Sequence, residues 1–219
     1  LIPDIENSFY ARIAKAFSDV CNQHRFQLAL AVSDDDPEIE ERHIRELVEA
    51  RCAGVAIVPS PGLSIQSARW LSSTNTAQLI RRSERLTTDW YGINDIDALK
   101  HATGCLLDLG HRHFAFCGYS GIRWSRERCQ AFRDSVAREG CTFAIYQPRS
   151  RRPAAWSKEE PHVRRWLEML PKPIGMLCAN DDRAASILET CHMFGYGVPE
   201  DVSVIGVDDD QYVCELQNP

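Results

Sequence analysis

The sequence predicts an α/β fold built on parallel sheets, and three observations carry that prediction. Short apolar runs alternate with amphipathic stretches at helical spacing along the whole chain. Two of the runs lead straight into acids and amides: Cys178-Ala179-Asn180-Asp181-Asp182 and Val204-Ile205-Gly206-Val207-Asp208-Asp209-Asp210. A continuous apolar run suits a strand covered by helices on both faces. The polar cluster then falls just past the strand's carboxyl end, where open α/β sheets bind ligands. Neither edge carries an obvious nucleophile–base pair, so the first reading is binding rather than catalysis.

The elements follow in order. Ser8 can cap a helix reaching about Gln23, with Phe9, Ile13, Phe17 and Val20 on one face. Residues 26–32 read as a strand. Asp34-Asp35-Asp36-Pro37 opens a second helix, where acids suit the amino-terminal dipole and Pro37 the first turn. Its apolar stripe is Ile39, Ile44, Leu47 and Val48. A strand over 54–58 ends in the loop Pro59-Ser60-Pro61-Gly62. A helix over 64–71 and short strands over 78–80 and 90–93 come next. The helix from about Asp95 stops at Leu109-Gly110, with Gly110 as its terminator. Strand 114–117, helix 125–139, strand 143–146 and a basic, proline-bearing loop over 148–153 follow. A helix over 158–169, a strand over 174–178, a helix over 182–194 and a strand over 202–207 complete the pattern. The last residues, Glu215 to Pro219, read as a loop.

Length and composition bound the function. The 219 residues allow one large domain or two lobes of about 100 residues each. At 44% hydrophobic the chain can build a real core, and a net charge of -6 argues against a nucleic-acid-binding surface within it. The cysteines number nine, an odd count with no Cys-x-x-Cys, which favours reduced thiols in a cytoplasmic protein. No apolar stretch approaches the roughly 18 residues needed to span a membrane. The opening Leu-Ile-Pro, without Met, reads as an excised fragment, which leaves a signal or another domain upstream open.

Several segments resemble the effector-binding domain of LacI/GalR-type transcription regulators. These are Ile2-Pro3-Asp4-Ile5-Glu6-Asn7-Ser8-Phe9-Tyr10, Ser33-Asp34-Asp35-Asp36-Pro37-Glu38, Leu106-Leu107-Asp108-Leu109-Gly110-His111-Arg112 and, most specifically, Pro199-Glu200-Asp201-Val202-Ser203-Val204-Ile205-Gly206-Val207-Asp208. From about Phe114 onward the sequence is most similar to xylose-operon regulators. The marks are Trp124-Ser125-x-Glu127-Arg128, Trp166-Leu167 through Leu170-Pro171-Lys172-Pro173, Asn180-Asp181-Asp182-Arg183 and Cys214-Glu215-Leu216. The resemblance implies two Rossmann-like lobes of the periplasmic-binding-protein type, residues 1–94 and 95–219, closing on an effector. It also implies that the final crossover, strands and helix of the pattern lie beyond Pro219. The DNA-binding module would be separate, on either side of this chain.

Some candidate site residues have a bland alternative. The resemblance places Arg128 at the arginine that grips the effector, and its fork of donors suits vicinal hydroxyls or a carboxylate. The alternative is a solvated helix arginine, one of four between Arg123 and Arg133. Asp208 ends the last strand, and the resemblance implies that its carboxylate accepts hydrogen bonds from sugar hydroxyls or a base amine. Asn180 can read a hydroxyl in either direction, while Asp181 beside it fits a helix N-cap. Asn7, Phe9 and Tyr10 sit in the first loop, with Tyr10 favoured for ligand and Phe9 for core. Trp124 and Trp156 read as loop residues on which a sugar face can stack. Asp181, Asp209 and Asp210 read as caps and surface charge.

Metal and cofactor signals are weak. His111 and His113 form a His-x-His pair without convergent cysteines or carboxylates. Gly118-Tyr119-Ser120-Gly121 lacks the Gly-x-Gly-x-x-Gly pattern, and no Gly-Lys-Ser/Thr occurs, so no cofactor is expected. The expectation is a cytoplasmic, non-enzymatic sensor that binds a sugar, a pentose such as xylose, and acts as a homodimer. The apolar residues between Val55 and Ile65 offer a candidate dimer surface. The competing readings are an extracytoplasmic sugar-binding protein of a transporter and an enzyme on a Rossmann-like sheet.

Overall fold

The computed structural model describes residues 1–148 and 155–217. The chain divides into two compact units, Leu1–Ile93 and Asn94–Pro219. Among the described residues no helix is long and apolar enough to cross a membrane.

The first unit alternates helices and parallel strands. Helix α1 spans Ser8–Gln23 and α2 spans Pro37–Glu49, followed by strand β1, Val55–Ile57. Helix α3, Ile65–Ser72, leads to β2, Thr76–Leu79, and β3, Asp89–Tyr91. The sheet runs β1-β2-β3, all parallel. Asn7, not Ser8, caps α1, with its side chain accepting from the Phe9 amide at 3.0 Å. Asp36 and Ser64 cap α2 and α3 in the same way. The amino-terminal residues add to the sheet: Leu1 hydrogen-bonds Ala56 O and Val58 N, and Ile2 bridges Val32 in parallel.

Two further expectations need correction in this unit, and one buried acid went unread. Residues 26–32 form no ladder, only the single bridge at Val32. Phe26 and Leu30 stay exposed, so the buried face that fixes a strand's register is missing. Val55, Ile57, Val58 and Leu63 are buried in the unit's core and offer no dimer surface, leaving Ile65 exposed. Glu40, outside the apolar stripe of α2, is fully buried because the amide and hydroxyl of Ser60 donate to it at 2.7 and 2.8 Å.

The second unit is a three-layer sandwich. Its elements are α4 Asp95–Asp108, β4 His113–Cys117, α5 Arg123–Arg138, β5 Thr142–Ile145 and α6 Trp156–Met169. Then come β6 Ile174–Cys178, α7 Asp181–Phe194, β7 Val202–Ile205 and α8 Gln211–Gln217. The parallel sheet runs β5-β4-β6-β7. Strand alternation fills both faces: Phe114, Phe116 and Leu177 pack with Leu99, Leu106, Phe132 and Val136 of α4 and α5. Ala115, Cys117, Met176 and Cys178 pack on the other face with Val163, Leu167, Ile187 and Cys191 of α6 and α7. Gly175 lets α4 close on the sheet, since a Cβ there would sit 3.0 Å from Leu106 Cδ1.

The chain end differs from its expected loop. Residues Gln211–Gln217 are helical because the Asp210 carboxylate accepts from the Tyr212 and Val213 amides at 3.0 and 3.3 Å. The basic loop expected over 148–153 lies outside the described residues from Arg149 onward.

Candidate functional site

The parallel strands β4, β6 and β7 of the second unit end on one side of their sheet, and the polar residues past them converge there. Arg128, the sixth residue of α5, lies buried at this edge with 6% of its surface exposed. The solvated-helix alternative is therefore excluded. Its Nε donates to Asp95 Oδ1 at 3.0 Å and its Nη1 to the Ala179 carbonyl at 2.7 Å. Nη1 and Nη2 both donate to Asp208 Oδ1 at 3.3 Å. One guanidinium thus ties the start of α4 to the ends of β6 and β7.

Asp208 holds an unusual backbone, with φ of 112°. Burial raises its carboxyl to about 6; Arg128 opposes that shift, and Asp181 adds to it. Asn180 caps α7, its Oδ1 accepting from the Arg183 amide at 3.2 Å. The expected cap, Asp181, is instead the first helical residue, because Asn180 has the extended backbone a cap requires. Asp181 is buried, and its Oδ2 accepts from the Asp210 amide at 2.7 Å. It is neither cap nor surface charge. Gly206 makes this possible: a Cβ there would lie 2.1 Å from Asp181 Oδ1. Asp210 does act as a cap, for α8.

Both site tryptophans stand on helices, not in loops. Trp124 is the second residue of α5, with the Arg128 guanidinium 5.2 Å from its ring and Tyr119 edge-on at 5.8 Å. Trp156 is the first residue of α6, which starts two residues earlier than its periodicity indicates. The Arg183 guanidinium lies 4.9 Å from the Trp156 ring and 4.3 Å from Tyr119. Its Nη1 donates to Glu159 Oε2 at 3.1 Å, and both side chains are buried. Each tryptophan therefore pairs with an arginine.

Asp95, Arg183 and Glu159 are the residues that sequence reasoning missed. Asp95 reads as an ordinary acid in a helix's first turn. Arg183 carried a signal: a cation in the first turn of α7 opposes the helix dipole and needs a partner.

In the first unit, Asn7 is committed to its cap. Tyr10 is buried and Phe9 only partly so, the reverse of the expected split, and their rings meet edge-on at 5.4 Å. The Tyr10 hydroxyl accepts from Arg81 Nη2 at 3.2 Å, and Arg81 also pairs bidentately with Asp35. Ile80 precedes Arg81 with φ of 60°, strained for a β-branched residue. The histidine pair is structural: His111 meets Ser203 at 2.8 Å and His113 meets Thr142 at 2.7 Å. All nine cysteines are free, and burial pushes the Cys117 thiol up to about 12.

The chain and its parallel-sheet fold have counterparts among known proteins. The model of the periplasmic binding protein-like domain matches residues 103–219. The chain belongs to that family. Its relatives are LacI-type transcription regulators, as the sequence motifs imply. The xylose operon regulatory protein of Escherichia coli is 37% identical over 109 residues, covering 48% of this chain and 28% of that protein. The transcriptional repressor PurR of Haemophilus influenzae is 25% identical over 214 residues, covering 95% of this chain and 62% of that protein. The chain thus spans less than two thirds of the length of these curated relatives. Among solved structures, the transcription regulator GntR from Chromobacterium violaceum superposes with a TM-score of 0.79 at 20% identity, covering 98% of this chain and 79% of that one. A periplasmic binding protein/LacI regulator from Alkaliphilus metalliredigens, complexed with D-xylulofuranose, gives 0.77 at 17% identity, covering 98% and 79%. These likenesses establish a periplasmic-binding-protein-like α/β fold with parallel sheets.

Proposed function

We propose that this chain is the ligand-sensing part of a bacterial transcription regulator and binds a sugar, with a pentose such as xylose favoured. The observation that carries the reading is the buried Arg128 bound to Asp208 beside Asn180, at the carboxyl edge of β6 and β7. Carboxylate, amide and guanidinium groups side by side can accept from and donate to neighbouring hydroxyls. Trp124 and Trp156 add aromatic faces at the same edge, suited to a sugar's C–H face. The two units, as lobes over residues 1–94 and 95–219, would close on the effector, with Asn7, Phe9 and Tyr10 on the first lobe's side. Differential affinity for open and closed forms then shifts the equilibrium. In a cytoplasmic homodimer that shift would control DNA binding by a separate module. The 37% identity to a xylose operon regulator over part of the chain supports the pentose preference.

A thermal-shift screen of the purified chain against xylose, arabinose, ribose, glucose and purines tests this reading. Stabilisation by a pentose, lost in Arg128→Ala and Asp208→Ala, is the expected result. A purine response with no sugar response would overturn the sugar assignment.

A further inference from the structure

We propose that Asp95 sets the ligand class of this edge: it keeps Arg128 between two carboxylates, so the site takes an uncharged polyol and rejects ligands bearing a carboxylate or phosphate. The inference rests on the reading that the edge is the effector site.

The donors of Arg128 are nearly all spent. A guanidinium has five N–H groups. The bonds to Asp95, the Ala179 carbonyl and Asp208 take Nε–H, both hydrogens of Nη1 and one of Nη2. Bidentate recognition of a carboxylate or phosphate needs two parallel N–H donors. Arg128 has one left, which suffices for a hydroxyl and not for an anion's fork.

The second buried arginine is neutralised rather than saturated: its Nε has no hydrogen-bond partner among the described residues, but it is buried away from a ligand's reach. Arg183 is ion-paired with Glu159, and the rings of Tyr119 and Trp156 lie against it. The acids around Asp208 add to the bias. Asp181 and Asp182 both raise its carboxyl, behind burial as the leading cause. An incoming anion would meet excess negative charge in a partly desolvated setting. A neutral polyol instead donates its hydroxyls to Asp208 and Asp95. Arg149, Arg151 and Arg152 lie outside the described residues, so binding is measured on the whole chain, with their charge present.

Calorimetric titration at pH 7.5 with D-xylose, D-glucose, D-glucuronate and D-glucose 6-phosphate tests the proposal. Wild type is expected to bind a neutral sugar at least tenfold more tightly than either acid. Asp95→Asn should narrow that gap by about tenfold, mainly by gaining affinity for glucuronate as Arg128 loses a carboxylate partner. Asp182→Asn, an exposed change that spares the buried network, should narrow it by a smaller factor. Far-UV circular dichroism and the melting transition establish that each variant is folded. Tighter binding of an acid by wild type overturns the proposal. So does an unchanged neutral-to-acid ratio in both folded variants. If no sugar binds but adenine does, the sugar reading fails; the charge rule then stands only if adenosine monophosphate is rejected. If none of these ligands binds, both fail.

Discussion

The two units place an arginine at the carboxyl edge of their sheets in different ways. In the second unit, Arg128 and Arg183 are buried under tryptophan rings and held by carboxylates that are themselves largely covered. In the first, Arg81 pairs with Asp35, whose side chain is 43% exposed, and reaches the Tyr10 hydroxyl. The sheets explain the contrast. The second sheet has four laddered strands with apolar layers on both faces, a frame that can bury charge once it is paired. The first has three laddered strands plus a single bridge, with Phe26 and Leu30 uncovered. Charges that bind or select a ligand need rigid support, and the second unit supplies more of it.

The contrast breaks most visibly when one partner of each arginine is removed. Glu159→Ala strands the Arg183 charge and should cost about 3 kcal/mol, whereas Asp35→Ala should cost no more than about 1 kcal/mol because water replaces the carboxylate. Urea unfolding of both variants checks this, and equal losses would erase the distinction. Arg128→Ala should abolish the ligand-induced rise in melting temperature, while Tyr10→Phe, which keeps the ring, should retain most of it. Matching losses would place as much of the binding energy on the first unit as on the second.

Asp208 sharpens the comparison through pH. Its folded carboxyl titrates near 6, above the ordinary value of 3.8. Between those values the folded state holds the proton more tightly, so this group's contribution falls as pH rises from about 4 to 6. Asp208→Asn should remove that slope from a plot of melting temperature against pH. The smallest effect belongs to the Lys15–Asp19 pair on α1, exposed on both sides. Lys15→Ala should change stability by less than about 0.5 kcal/mol.

The order of elements was legible because apolar periodicity is local. The two acidic strand edges marked β6 and β7, and Arg128 and Asp208 do meet. The sequence could not show which carboxylates Arg128 would meet, because Asp95 lies 33 residues away and reads as an ordinary helix start. Trp124 and Trp156 read as loop residues because the starts of α5 and α6 carry no side-chain cap bond to mark them. Residues 26–32 read as a strand from composition alone, which says nothing of a partner.

Spacing and motifs a few residues long were enough for the α/β class, the alternation of strands and helices, and the family. Contacts between distant residues settled which charges are neutralised, that Asp181 is buried rather than a cap, and that Arg183 lies against two rings. Those outcomes depend on residues brought together across tens of positions and on how much water the packing leaves around them.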